Sequence, residues 1–234
     1  MITIEDKITA LLTGQGASLI RFIDVTDLSM KQNRGLPHAI FFCLPLTPSY
    51  LHKVMETPDY VQTIIAQNQI DSDELHLQEL KAGKLADQIA DLLVADGYQA
   101  HSQSDDRLIA TGNWDADSSK STLPHKTIAV LAGAGWIGRN NLLVTPEYGS
   151  ALCIGTVLTD APLPVIRPQI TENKCGACKK CVHVCQTQAL IGNTWKTGIP
   201  RESIIDIHKC TTCIQCLLHC SYTQKYLKQH KHEN

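Results

Sequence analysis

The chain has 234 residues, of which 43% are hydrophobic and 19% charged, and its formal net charge is −2. No apolar run is long enough to span a membrane, which excludes a transmembrane helix. The charge provides no cationic surplus, so nucleic acid is not expected as the main partner. Residues 1–10 are charged and lack the apolar run of a signal peptide, so we expect a cytoplasmic protein.

Helical and extended patterns alternate in the first hundred residues. In chain order, the predicted elements are a helix over 2–16, strands over 19–25 and 39–46, a helix that begins at Pro58 and runs to 67, a long helix after an N-cap at 71–74, and a strand over 98–103. Residues 104–124 are polar and without periodicity, which predicts a long functional or mobile loop.

The next segment contains a glycine-rich motif between predicted elements. Pro124 begins a helix over 125–132, the motif Gly133-x-Gly135-x-x-Gly138 follows, and strands over 141–145 and 151–159 bracket a turn at Gly149. A dinucleotide-binding loop follows a strand and opens a helix, whereas this motif follows a helix, so a nicotinamide site is not expected. The alternation of helices and strands predicts an α/β or α+β fold.

Eight of the ten cysteines form two copies of one spacing after a proline-rich linker. The copies are Cys175-x2-Cys178-x2-Cys181-x3-Cys185 and Cys210-x2-Cys213-x2-Cys216-x3-Cys220. This spacing is typical of bacterial ferredoxins with two [4Fe–4S] clusters, in which the fourth cysteine opens the following helix and ligates the other cluster. One cluster is therefore predicted on Cys175, Cys178, Cys181 and Cys220, and the second on Cys210, Cys213, Cys216 and Cys185.

Zinc and disulfides are the alternatives for these cysteines. Structural zinc uses two pairs with a longer spacer, and a cytosolic chain is not expected to cross-link its cysteines. The proline that usually follows the fourth cysteine is replaced by Gln186 and Ser221. The other two cysteines, Cys43 and Cys153, lie in apolar segments and are predicted to be buried and inert. Ile204, Ile205 and Ile207 are predicted to cover the clusters.

The stretch AGAGWIGRNNLLVTPEYGS, the first cysteine run and the spacing Asp206-x3-Cys210 resemble the epoxyqueuosine reductase family, here in a short form; reductive dehalogenases are more distant relatives. The resemblance covers about residues 120–220. It implies a nitroreductase-like cobalamin domain over 1–160 and a linker with a double-cluster, ferredoxin-like domain over 161–234. By the same resemblance, the corrin would lie against Gly135, Trp136, Ile137, Gly138, Arg139, Asn140, Gly149 and Ser150.

Two departures from the family pattern affect the expected activity. The family's catalytic aspartate would fall near Ser121, which leaves His125 and then Asp117 as candidate proton donors. The family's RNA-binding extension is expected to be absent, because the sequence stops soon after Cys220. Reduction of epoxyqueuosine in tRNA is therefore not expected.

The resemblance and these departures leave two candidate functions. In the first, two clusters pass electrons to a bound cobalamin that reduces an unknown small molecule. In the second, the chain is an electron-transfer protein that reduces a partner, such as a corrinoid protein. In both, the expected electron donor is a protein such as a ferredoxin or flavodoxin, and no membrane is involved.

Overall fold

The computed structural model of the chain describes residues 2–57, 59–196 and 198–230. The α-helices are α1 (Ile4–Gly14), α2 (Met30–Asn33), α3 (Pro48–Glu56), α4 (Tyr60–Ala66), α5 (Glu74–Ala95), α6 (Asp105–Ala110), α7 (His125–Leu131), α8 (Lys180–His183), α9 (Gln215–Leu218) and α10 (Ser221–Gln229). The strands are β1 (Ser18–Asp24), β2 (His38–Pro45), β3 (Ala100–Ser102), β4 (Trp114–Asp115), β5 (Lys120–Ser121), β6 (Trp136–Ile137), β7 (Leu143–Val144) and β8 (Leu152–Thr159). Helices and strands are mixed along the chain, which confirms the predicted mixed α and β class. Among the described residues, no helix is both long and apolar enough to cross a membrane.

The chain divides into two compact units that alternate along the sequence. The first unit contains Met1–Leu44, Gln78–Ala134 and Cys153–Ile170; the second contains Pro45–Leu77, Gly135–Leu152 and Thr171–Asn234. Residues 135–150, named here the glycine-tryptophan segment, thus fold in the same unit as the cysteine runs. The functional division into residues 1–160 and 161–234 stays a prediction.

The first unit contains a four-stranded sheet in the order β1-β2-β8-β3. β1 and β2 are antiparallel, with Phe22 opposite Ile40, and β3 and β8 are antiparallel, with His101 opposite Leu158. The six central residues of β2 are all buried, as expected for its continuous apolar run. Gly155 in β8 leaves room for the Phe42 ring, because a Cβ there would lie 2.1 Å from Phe42 Cζ.

The cap of α5 lies in the second unit. The Asp73 carboxylate accepts hydrogen bonds from the backbone N–H groups of Leu75 and His76. It also accepts from the hydroxyls of Tyr50 and Tyr60, each at 3.1 Å. These bonds satisfy donors at the start of the helix and a buried carboxylate together, so the predicted N-cap at 71–74 is confirmed.

Three parts of the sequence differ from the predictions. The segment 104–124 is not a structureless loop, because it contains α6 and the two-stranded pair β4–β5, in which Trp114 lies opposite Ser121. Helix α3, which Thr47 caps at its N-terminus, was not predicted. The helix predicted to begin at Pro58 is α4, and Pro58 itself lies outside the described residues.

Candidate functional site

Short helices carry the third cysteine of each run. Cys181 lies in α8 and Cys216 in α9, and Cys220 is the N-cap residue of α10. The prediction that the fourth cysteine opens a helix is therefore confirmed for Cys220. It is wrong for Cys185, because the described residues between 186 and 200 form no helix.

The electrostatic neighbours of two partly buried thiols, Cys181 and Cys216, come from both cysteine runs. Burial raises the pKa of Cys181 to about 11, and the charges of nearby cysteines add to the effect; these are Cys175, Cys220 and Cys178. Burial also raises the pKa of Cys216 to about 12, and its contributing neighbours are Cys181, Cys210, Cys213 and Cys185. The neighbours of Cys181 thus include the fourth cysteine of the second run, and those of Cys216 include Cys181 and Cys185 of the first run, so the two sets overlap at Cys181.

The cysteines are consistent with iron–sulfur ligation. Among the described residues, no three His, Cys, Asp or Glu side chains converge on a site for one metal ion. Eight cysteine sulfurs in two runs are donors of the kind that [4Fe–4S] clusters use.

Hydroxyl groups contact the sulfurs of Cys178 and Cys185. Cys178 Sγ lies 3.5 Å from Ser221 Oγ, and Cys185 Sγ lies 3.7 Å from Thr187 Oγ1. The pKa of Cys178 is lowered by a hydrogen bond from the backbone of Lys180 and then by Ser221. Ser221, which stands where two-cluster ferredoxins usually have proline, thus stabilises a sulfur of the other run.

An apolar cluster packs against Cys181, Cys185 and Cys216. Ala189, Leu190 and Ile205 are buried together, and Leu190 pairs with Ile205 through an antiparallel bridge. The partly buried side chains that pack against this cluster are Cys181, Val182, Cys185, Ile207 and Cys216. Ile205 and Ile207 thus pack with three of the cysteines, and Ile204 is buried; that these isoleucines cover clusters stays a prediction. Cys43 and Cys153 are buried, as predicted.

The glycines of the glycine-tryptophan segment are required by contacts within the protein. In the β6–β7 pair, Trp136 lies opposite Val144. A Cβ on Gly135 would lie 2.1 Å from the carbonyl oxygen of Val144. Gly149 has φ +60, and a Cβ there would lie 2.1 Å from the backbone nitrogen of Thr223 in α10. These glycines therefore allow backbone segments to approach each other.

The residues predicted to face a corrin do not form a ligand-binding face as a set. Trp136, Ile137, Asn140 and Ser150 are between 2% and 4% exposed, so protein atoms cover them. Trp136 Nε1 has no acceptor among the described residues, but the indole itself is 2% exposed and packs edge-on against Tyr222. The segment as it stands does not fit contact with a large flat cofactor.

The two candidate proton donors lie in different settings within the first unit. His125 Nδ1 lies 2.6 Å from Thr156 Oγ1, which also accepts a hydrogen bond from the Gln103 amide. Burial lowers the pKa of His125, which favours the neutral imidazole. Asp117 is exposed in the turn between β4 and β5. Their catalytic roles stay predictions, and the hydrogen bond of His125 is also typical of a structural histidine.

The contacts of three residues beside the cysteines were not predicted from the sequence. Asn173 accepts from the backbone N–H of Cys175 at 2.9 Å, and Thr187 contacts Cys185. Both lie two positions from a cysteine, where a local side-chain turn could have been predicted. Ser221 contacts Cys178 across a long sequence separation, and no local pattern indicates that contact.

Known proteins resemble the chain both in sequence and in fold. The epoxyqueuosine reductase of Bacillus cereus is 41% identical over 69 residues, which are 30% of this chain and 18% of that protein. The epoxyqueuosine reductase structure from Streptococcus thermophilus matches with a TM-score of 0.55 and 16% identity, over 94% of this chain and 66% of that one. A catabolic reductive dehalogenase matches with a TM-score of 0.62 and 19% identity, over 93% of this chain and 32% of that one.

Another matching reductive dehalogenase structure is described as suggesting a mechanism for B12-dependent dehalogenation. No protein-family model matches the chain. The fold is therefore the one shared by epoxyqueuosine reductases and reductive dehalogenases. Within that class, the sequence matches confirm the predicted resemblance to epoxyqueuosine reductase, although the matched stretch is well under two thirds of the Bacillus cereus protein.

Proposed function

We propose that the chain is an iron–sulfur oxidoreductase that passes electrons through two [4Fe–4S] clusters. The observation that carries this proposal is the grouping of the cysteines around Cys181 and Cys216. The first cluster would be held by Cys175, Cys178, Cys181 and Cys220, and the second by Cys210, Cys213, Cys216 and Cys185. When bound, the clusters supply one-electron transfer between a donor and an acceptor.

The chain's own residues would set the environment of the clusters. Ile205 and Ile207 would exclude water from the thiolates that pack against them. Ser221 provides a hydroxyl group beside the sulfur of Cys178, and Thr187 provides one beside the sulfur of Cys185. Hydrogen bonds to cluster sulfurs and limited solvent exposure both influence the reduction potential. Within this proposal, the cysteine-rich part is a ferredoxin-like module and residues 1–160 are a nitroreductase-like domain.

A basic stretch beside the first cysteine run supports an acidic protein as electron donor. Lys174, Lys179 and Lys180 are all exposed within this short segment, and Glu172 is its acidic neighbour. Acidic redox proteins such as a ferredoxin or flavodoxin would be attracted to this charge. Because such attraction is screened by salt, the rate of cluster reduction by the donor should fall as ionic strength rises.

Cobalamin is the proposed acceptor on the strength of the relatives, one of which is described as B12-dependent. Trp136, Ile137, Asn140 and Ser150 are covered by protein atoms, so these side chains do not provide an open contact face for it. The proposed substrate of such an enzyme is a small molecule. Efficient reduction of epoxyqueuosine in tRNA is not proposed, because Ser121 stands where the family's aspartate is expected and is too weak an acid to replace it.

The second candidate is an electron-transfer protein that reduces a partner, such as a corrinoid protein. The burial of Trp136, Ile137, Asn140 and Ser150 favours it, because these residues then serve the packing of the protein alone. The exposure of Cys210 would let a partner approach the second cluster.

Anaerobic purification with iron, sulfide and cobalt counted tests the main proposal. About eight iron atoms per chain are expected, and zinc in their place would overturn it. Titration with cob(II)alamin then separates the two candidates: conversion of its EPR spectrum to the base-off form supports the enzyme, and no change at saturation supports the carrier. Gly135→Val is not a suitable control, because the valine side chain would disrupt the β6–β7 pair whether or not a corrin binds.

A further inference from the structure

The Arg139 side chain joins two loops beside the first cysteine group. Its Nη2 donates to the carbonyl oxygen of Gly176 at 2.8 Å, and its Nη1 donates to the carbonyl oxygen of Gly192. Gly176 follows Cys175 within the first run, and Gly192 follows the strand-like segment that pairs Leu190 with Ile205. A planar guanidinium makes two bonds in a fixed fork, so Arg139 fixes the position of one loop relative to the other.

The positive charge of Arg139 is not neutralised by an acid. Both hydrogen bonds go to neutral carbonyl groups, and Nε is buried without an acceptor in the described part of the chain. No carboxylate among the described residues forms an ion pair with Arg139. A full positive charge therefore lies next to the loop that carries Cys175 and Cys178.

Asn140 and Asn173 attach the turn that carries Arg139, which follows β6, to both cysteine runs. Asn140 is 3% exposed, and its Nδ2 contacts Ser150 Oγ at 3.0 Å and the Cys216 carbonyl oxygen at 3.4 Å. Asn173 donates to the Ile137 carbonyl oxygen at 2.7 Å and accepts from the Cys175 N–H. The turn after β6 is thus attached to both runs, which leaves Arg139 little freedom to move away.

We infer that Arg139 is a positioning residue for the cluster of Cys175, Cys178, Cys181 and Cys220, and that its charge raises the reduction potential of that cluster. This inference rests on the proposed two-cluster function. A reduced cluster carries one more negative charge than its oxidised form, so a fixed cation nearby stabilises the reduced form. The two loop bonds would also slow the loss of iron, because they hold the ligand-bearing loop in place.

The test uses the full chain reconstituted anaerobically, with redox titration followed by EPR. Arg139→Gln removes the charge and the fork, and Arg139→Lys keeps the charge but cannot make both loop bonds. Arg21→Gln is the matched control, because Arg21 is an exposed arginine of β1 whose guanidinium donates to the neighbouring Ile20 carbonyl. The Cys178→Ala variant identifies the signals that belong to the first cluster.

Arg139→Gln should shift the equilibrium of the first cluster about tenfold toward the oxidised form, a fall of about 59 mV for one electron, while the second cluster changes less. Arg139→Lys should keep the potential but lose the first cluster to a chelator several times faster than the original protein. Arg21→Gln should change neither property. If Arg139→Gln holds no first cluster at all, the positioning role is supported and the chelator result for Arg139→Lys becomes decisive.

Equal potentials and equal iron-loss rates in the arginine, glutamine and lysine forms would overturn the inference. A shift confined to the second cluster, or shared equally by both, would also overturn it. These failures differ from failure of the proposed function, in which the unsubstituted chain itself would bind no iron–sulfur cluster.

Discussion

Cys185→Ala tests which cysteines share a cluster. Burial acts to raise the pKa of Cys185, but hydrogen bonds from Leu190, Thr187 and Ala189 together lower it, so this thiolate is well stabilised where it lies. Removing it should leave the second cluster with three protein ligands. Iron should fall from about eight atoms per chain to between about four and about seven; the lower value corresponds to loss of the whole second cluster and the higher to loss of one corner iron.

The assay compares EPR spectra of the reduced proteins together with their iron content. Cys185→Ala should resemble Cys213→Ala, which removes a ligand of the second run, and should differ from Cys178→Ala. Cys153→Ser is the control, because Cys153 is buried and is not a proposed ligand. A Cys185→Ala spectrum that matches Cys178→Ala would refute the crossed ligation.

Three further predictions concern catalysis, pH and packing. With epoxyqueuosine-containing tRNA, cobalamin and a strong reductant, we expect turnover roughly 100- to 10,000-fold below that of a full-length family member; near-normal turnover that Asp117→Asn abolishes would contradict our interpretation of Ser121. Because His125 has a pKa below its ordinary value of 6.5, the unfolded state binds its proton more tightly, so the free energy of unfolding should fall as the pH drops through that value. In denaturant titrations, His125→Gln should flatten this dependence; an unchanged slope would contradict it. Phe42→Ala should cost about 3–5 kcal/mol, and Gly155→Ala should cost much less in that background than alone, whereas additive costs would show that the two residues do not share space.

Local sequence signals predicted several parts of the structure correctly. The apolar run of β2 and the Asp73 cap of α5 depend mainly on neighbouring residues, so their positions follow from composition and spacing. The spacing of the cysteines also predicted that residues of the two runs lie near each other, as Cys181, Cys185 and Cys216 do; their division between two clusters stays a prediction. For the strand and the helix cap, the observed element is determined mainly by residues close together in the chain.

Contacts between distant residues explain what the sequence did not predict. The residues next to Gly135 and Gly149 in the sequence do not indicate whether each glycine makes room for a cofactor or for another backbone segment. Their partners, Val144 and Thr223, are identified only in the folded chain. A second cause is length: α6 and β4 are short, so the polar residues around them hide the hydrophobic periodicity that would have predicted them.

The proposed crossed ligation would impose an order of assembly during protein synthesis. Under the proposed ligation, Cys216 is the last ligand of the second cluster to leave the ribosome, whereas the first cluster must wait for Cys220. The first cluster would then also depend on the start of α10, whose Thr223 hydroxyl accepts from the Ser150 N–H. A nascent chain could acquire its second cluster first, and a chain cut between the two ligands would keep one cluster while exposing three thiols to oxygen.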